Sequence, residues 1–368
     1  MARAGQPRPR LQQDRLRAAR APYAEQLDAA PYRALLARLV AQGVELGLHS
    51  LSGGPDDPGD PRTLSGFSAF RQVSAGRLWI DHRPTTNCEA ISNAGADPTS
   101  RWYLLPLLRR FGVRYLWRGA DAQTSRQLPR LDLLRSDRPA DRPAVLYRAE
   151  QLAVDGERPF WLFGSSWLFF ARWQQLLATL SPRALDRLEA AHGLAIGHVY
   201  LETCRARGRL HGRELLLGLG GERYVLRPEV DRLFVALAGR QRAGSLWVTG
   251  LEALAEHLLG AMRVVLDPLG DDGSVRLRYQ RDEGPALLRA LTLRWPVGVV
   301  EVMSGDGAVL AGQHVREGRL ETWLDLRAER PIILRPRWGH ALAPPAPALE
   351  TGVRLEQAPA GSLERAAE

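Results

Sequence analysis

Apolar residues recur along the first two thirds of the chain in two alternating rhythms. Tyr23, Leu27, Tyr32, Leu35, Leu36, Leu39 and Val40 fall at three- and four-residue spacing and predict a helix that Gly43 stops. A short apolar strand, Val44 to Leu48, follows and runs into His49. The alternation then repeats. A helix over 63–74 precedes a strand ending at Asp81 and His82. A helix from Pro98 to Phe111 precedes a strand from Val113 to Trp117 that ends at Arg118. Two further strands are predicted at Ala144–Tyr147 and Phe160–Phe163. Ser181 and Pro182 open another helix as N-cap and first residue, and the strand after it ends at His198. A helix carrying Val230, Leu233, Phe234 and Leu237, a strand at Ser245–Thr249 and a helix from Leu251, capped by Thr249, close this part. Strands separated by helices pair in parallel, so all their C-terminal ends lie on one edge. On that edge the pattern gathers His49, Asp81, His82 and His198, the imidazole and carboxylate donors that zinc or a similar divalent ion takes. Asp81 and His82 are neighbours on a strand and point to opposite faces unless the strand ends between them.

The texture changes near residue 262. Period-2 runs replace the helical spacing at Arg263–Leu266, Ser274–Tyr279, Ala290–Arg294, Gly298–Met303, Ala308–Gln313, Leu320–Leu326 and Ile332–Arg335. Gly-Asp turns separate them, and together they predict a small β-sandwich. The division expected is a basic arm over 1–22, an α/β unit over 23–262, a β-rich domain over 263–340 and an Ala- and Pro-rich tail over 341–368, with arm and tail poorly ordered.

Charge alters this picture little. The net charge of +9 is carried wholly by arginine on the basic side, since there is no lysine. Residues 1–22 hold six arginines against Asp14, a net +5, which leaves +4 for the rest and gives little support to a nucleic-acid partner. Cys88 and Cys204 form no CxxC pair, so neither a disulfide framework nor a cysteine zinc site is expected. No window has the roughly 18 apolar residues of a membrane span. No signal peptide is visible, so a cytoplasmic location is expected unless the start is incomplete.

Several of these runs resemble blocks of the polysaccharide deacetylases, the NodB-homology or carbohydrate-esterase family. VELGLHS is similar to that family's G-x-E-I-G-x-H-S/T segment. WIDHRPTTNCEAISNAG, YLLPLLRRFGVRYLW, LDRLEAAHGLAIGHVYLE and SLWVTGLEALAEHLL resemble successive later blocks, over roughly residues 30 to 262. The resemblance implies an irregular (β/α) barrel of the NodB type and a metal-dependent deacetylase acting on an acylated carbohydrate. His49 matches the first histidine of the family's His-x-x-x-His pair, with Gly53 in the place of the second. Arg83-Pro84 echoes an Arg-Pro element that lines the groove. His198 matches the histidine that acts as general acid, and the family's Asp-Asp pair has no counterpart before the Tyr23–Val40 helix. The implied site has His49, His82 and Asp81 on a divalent metal, most simply zinc, with Asp81 as ligand or base and His198 as acid. Arg83, Trp79, Trp117 and Glu202 would contact the substrate; Glu202 and Tyr200 either line the site or merely alternate on their strand. Trp102 and Trp167 are further aromatics open to sugar stacking or to core packing. The alternative is a catalytically inactive protein of the same fold that binds polysaccharide. The oligomeric state is left open.

Overall fold

The computed structural model describes residues 30–48, 61–81, 95–118, 146–149, 152, 158, 160–163, 167–169, 173–190, 193–198, 205–206, 209–210, 216–218, 224–280, 285–307, 312–316, 318–328 and 330–339. They fall into two compact units, one holding the described residues up to 118 and 146–167, the other those from 168 onward. The passage from helices to period-2 strands near 262 lies inside the second.

The first unit holds α1 (Ala30–Ala41), α2 (Pro61–Val73), β1 (Leu78–Asp81), α3 (Leu105–Arg110), β2 (Tyr115–Arg118), β3 (Leu146–Ala149) and β4 (Phe160–Phe163). Two helices end in the same way. Gly43 takes φ +84°, its amide donates to Val40 O, and the Val44 amide donates to Leu39 O; Gly112 (φ +73°), with Val113, repeats this on Arg109 O and Leu108 O. This is the Schellman arrangement, in which a left-handed residue satisfies the last carbonyls and turns the chain away from the helix; after α3 the chain enters β2, whereas after α1 the strand expected at Val44–Leu48 is reduced to a single bridge at Leu48. The helix expected from Pro98 is shorter than its apolar spacing suggests and begins only at Leu105. Pro106 has no amide hydrogen to give to a carbonyl one turn earlier, so it fits the first turn of a helix but not its interior, and upstream Asp97 Oδ1 accepts from the Thr99 amide at 2.8 Å to build a turn.

The strands pair as the helical spacers require. Leu48 bridges Trp79 in parallel, β1 pairs β2 and β2 pairs β4 in parallel, and β3 closes the edge antiparallel to β4. Register aligns Leu48, Trp79, Leu116 and Leu162 in one row across the sheet. That row packs with Phe67 and Phe70 of α2 and Leu105 and Leu108 of α3 into a single core. Tyr115, Trp117, Trp161 and Phe163 are buried as well. Burial on both faces is the ordinary state of parallel strands and explains their unbroken apolar sequence.

The division falls within β5 (Trp167–Phe169), and the second unit goes on in short pieces: α4 (Trp173–Thr179), α5 (Pro182–Ala190), β6 (Ile196–His198), β7 (Arg205–Ala206), β8 (Arg209–Leu210), β9 (Leu216–Gly218), β10 (Tyr224–Leu226), α6 (Pro228–Arg242) and α7 (Leu251–Ala261). Val230 and Leu233 of α6 pack on Leu176 of α4. Arg240 of α6 reaches Asp186 at 2.7 Å and Glu189 at 2.8 Å on α5. The strand expected at Ser245–Thr249 is absent. Those residues form no ladder, Trp247 and Val248 stay exposed, and Gly250 rather than Thr249 occupies the cap of α7. An alternating apolar run becomes a strand only where a neighbour offers its own hydrogen-bonding edge.

Seven strands follow: β11 (Val264–Pro268), β12 (Val275–Tyr279), β13 (Leu287–Arg294), β14 (Val299–Ser304), β15 (Gly312–Arg316), β16 (Arg319–Arg327) and β17 (Ile332–Trp338). They make two antiparallel sheets, ordered β11-β12-β17-β14 and β13-β16-β15, which share one core containing Leu277, Val302, Leu326 and Leu334. Gln313 of β15 ties the sheets together: its amide donates to Val302 O at 2.8 Å and accepts from the Val302 amide at 2.7 Å. All described sheets are open. No described helix is long and apolar enough to cross a membrane.

Candidate functional site

The C-terminal edge of the parallel sheet is where the sequence pattern places its ionisable residues. Asp81 is the last residue of β1 and Arg118 the last of β2, and the two are register partners. Their backbones are therefore about 5 Å apart, one strand spacing. The row beneath them is Ile80 opposite Trp117, and beneath that Trp79 opposite Leu116. The edge thus carries a carboxylate-bearing and a guanidinium-bearing residue at paired register positions; in the two rows beneath, Trp79, Leu116 and Trp117 are buried and Ile80 is half-buried. Arg118 carries the same signal that singled out Asp81, an ionisable residue closing an apolar strand, but it took parallel register to pair the two.

His49, His82, Arg83 and Glu202 lie outside the described residues. His198 closes β6 in the second unit. Trp79 and Trp117 are corrected: they are core residues, 0 % and 5 % exposed, and present no ring face to a sugar. Trp79 stacks on Phe67 with ring centroids 6.2 Å apart, and its indole Nε1 is buried without a hydrogen-bond partner. Both sit in strands that bury both faces, where an aromatic next to a strand end packs inward by default. Trp102 is half-buried against the same core. Among the described residues, no group of three His, Cys, Asp or Glu side chains is placed to hold a metal ion.

A second cluster, outside the residues the sequence pattern singled out, lies on the three-stranded sheet. Arg294 of β13, Glu321 of β16 and His314 of β15 share one register row. Glu321 is 3 % exposed; it accepts from Arg294 Nη2 at 3.0 Å and lies 3.1 Å from His314 Nε2. The hint in the sequence was weak: ionisable residues at alternating positions of period-2 strands, the usual mark of a solvated face. Only the cross-strand register joins the three.

No family model, no curated protein and no solved structure matches the chain.

Proposed function

We propose that the chain is a metal-dependent, deacetylase-like hydrolase acting on an acylated carbohydrate, with its chemistry at the C-terminal edge of the parallel sheet. On this reading the first unit belongs to an irregular (β/α) barrel, and the seven later strands are a β-sandwich-like module. The observation that carries it is the pairing of Asp81 and Arg118 at the ends of adjacent parallel strands, the edge on which folds of this class do their chemistry. Asp81, the one residue of the expected ligand set within the described residues, ends β1 on that edge and is of a donor type suited to zinc. A divalent ion at that edge would activate water and polarise an acyl oxygen. Asp81 would either ligate or take the proton of the attacking water, and Arg118, its register partner, would offer positive charge to the oxygen on which negative charge develops.

Acetate release from acetylated oligosaccharides tests this reading directly. Asp81→Asn is expected to lower the rate by about 100-fold or more, the usual scale for loss of a general base. Arg118→Gln is expected to lower it less. An intact protein that releases no acetate from N- or O-acetylated oligosaccharides, or an Asp81→Asn variant as active as the parent, overturns the proposal. Retention on polysaccharide without turnover, kept when Trp323 is replaced by alanine, would select the non-catalytic, glycan-binding alternative.

A further inference from the structure

On the outer face of the sheet β13-β16-β15, one large aromatic side chain lies open. Trp323 of β16 is 41 % exposed. Its register partners are Thr292 on β13 and Gly312 on β15. A Cβ on Gly312 would overlap the indole, so the ring lies flat against bare backbone, which only glycine permits. The His314 ring stands beside it, with centroids 5.3 Å apart and planes tilted by 55°. His314 is itself held by Glu321, and Glu321 by Arg294. The result is a fixed aromatic platform bordered by a fixed polar row, the combination that stacks on the apolar face of a sugar ring and hydrogen-bonds its hydroxyls.

The charges around the platform narrow the ligand. Arg319 and Arg327 are exposed, on the same strand and face, four residues to either side of Trp323. At strand rise that places each about 13 Å away. The two carboxylates between them are already engaged: Glu321 by Arg294 and His314, Asp325 by the Ala290 amide at 2.9 Å. The line along β16 is therefore aromatic at its centre and cationic at both ends. Asp325, exposed and only two residues from the platform, still offers an acceptor to a hydroxyl of the stacked ring, which suits a polyhydroxylated chain.

We propose that this face binds an acidic, uronate-bearing polysaccharide, one ring stacked on Trp323 and the carboxylates of flanking sugars reaching Arg319 and Arg327. The proposal rests on the β-strand residues alone. Acetate release reads the sheet edge of the first unit and polysaccharide retention reads this face, so failure of either leaves the other standing.

The test is affinity electrophoresis of the full chain in gels containing polygalacturonate, alginate or hyaluronan, with neutral dextran and single-stranded oligothymidylate as comparisons. Because a net charge of +9 retards the chain in any polyanion, the decisive readout is dependence on the aromatic. Expected is retardation by at least one uronate polymer that falls about tenfold in Trp323→Ala, is largely kept in Trp323→Phe, and weakens in the double variant Arg319→Gln, Arg327→Gln. Those two arginines are surface residues, so that variant keeps its fold even if Trp323→Ala does not, and thermal melts report which case holds. Retardation unchanged by both the aromatic and the arginine variants overturns the proposal. So does equal binding to dextran, tighter binding to oligothymidylate, or no retardation by any of the three uronate polymers.

Discussion

Ala290 is the one described non-glycine residue with positive φ, at +51°. It sits where the β13–β16 register shifts, between Leu288 and Leu291, and Asp325 Oδ1 holds its amide at 2.9 Å. A left-handed alanine costs about 1–2 kcal/mol, so Ala290→Gly should raise the melting temperature and stability by about 0.5–1 kcal/mol. Asp325→Ala, which strips the bulge of its acceptor, should lower stability by about 1 kcal/mol; equal melting of parent and variant would show that the carboxylate does not hold the bulge. Nearby, burial pushes the His257 imidazole below its usual value, partly offset by a hydrogen bond to the Arg289 backbone. The native state then binds fewer protons at His257 than the unfolded chain does. Stability from this residue is complete above the ordinary value of 6.5 and is lost as pH falls below it. Melts across that range should show an acid decline that His257→Gln flattens. Trp79 and Trp117 carry the converse lesson. Their residue type and position suited a sugar platform, but a tryptophan in a strand buried on both faces belongs to the core, while the exposed platform, Trp323, stands on a sheet with one open face.

Elements were most legible where a local signal ends them. The glycines after α1 and α3 mark where each helix stops because the left-handed cap is a property of a few consecutive residues. All seven later strands fall on period-2 runs; of the run expected at Ala308–Gln313, residues 308–311 lie outside the described residues, and β15 is described over Gly312–Arg316. Misreadings arose where a neighbour decides. Ser245–Thr249 has strand periodicity and no ladder, and the α3 segment has helical spacing upstream of a proline that shortens it. The contact between the two β sheets gives a test on this level. Gln313 satisfies both backbone groups of Val302, so Gln313→Leu should strand two polar groups in a partly buried place. A loss of about 1–3 kcal/mol in denaturant unfolding is expected; a change within error would mean water replaces the amide.

The two units each possess a core of their own, Leu108 and Phe67 in one, Leu277 and Leu326 in the other. The proposed catalysis depends on the first, and a chelator gives the simplest test. Removal of divalent ions should abolish acetate release and zinc should restore it, whereas full activity after exhaustive chelation would exclude the metal-dependent reading. The order of helices and strands in the first unit, the parallel pairing of β1, β2 and β4, and the period-2 strands after residue 262 were all readable from apolar spacing, because burial of one stripe or one face is a local demand that each segment states for itself. The pairing of Asp81 with Arg118, the Arg294–Glu321–His314 row, and the retreat of Trp79 into the core were not. Each depends on which residue of a distant strand lies alongside, and that is chosen by the packing of all the strands and helices together rather than by any stretch of chain on its own.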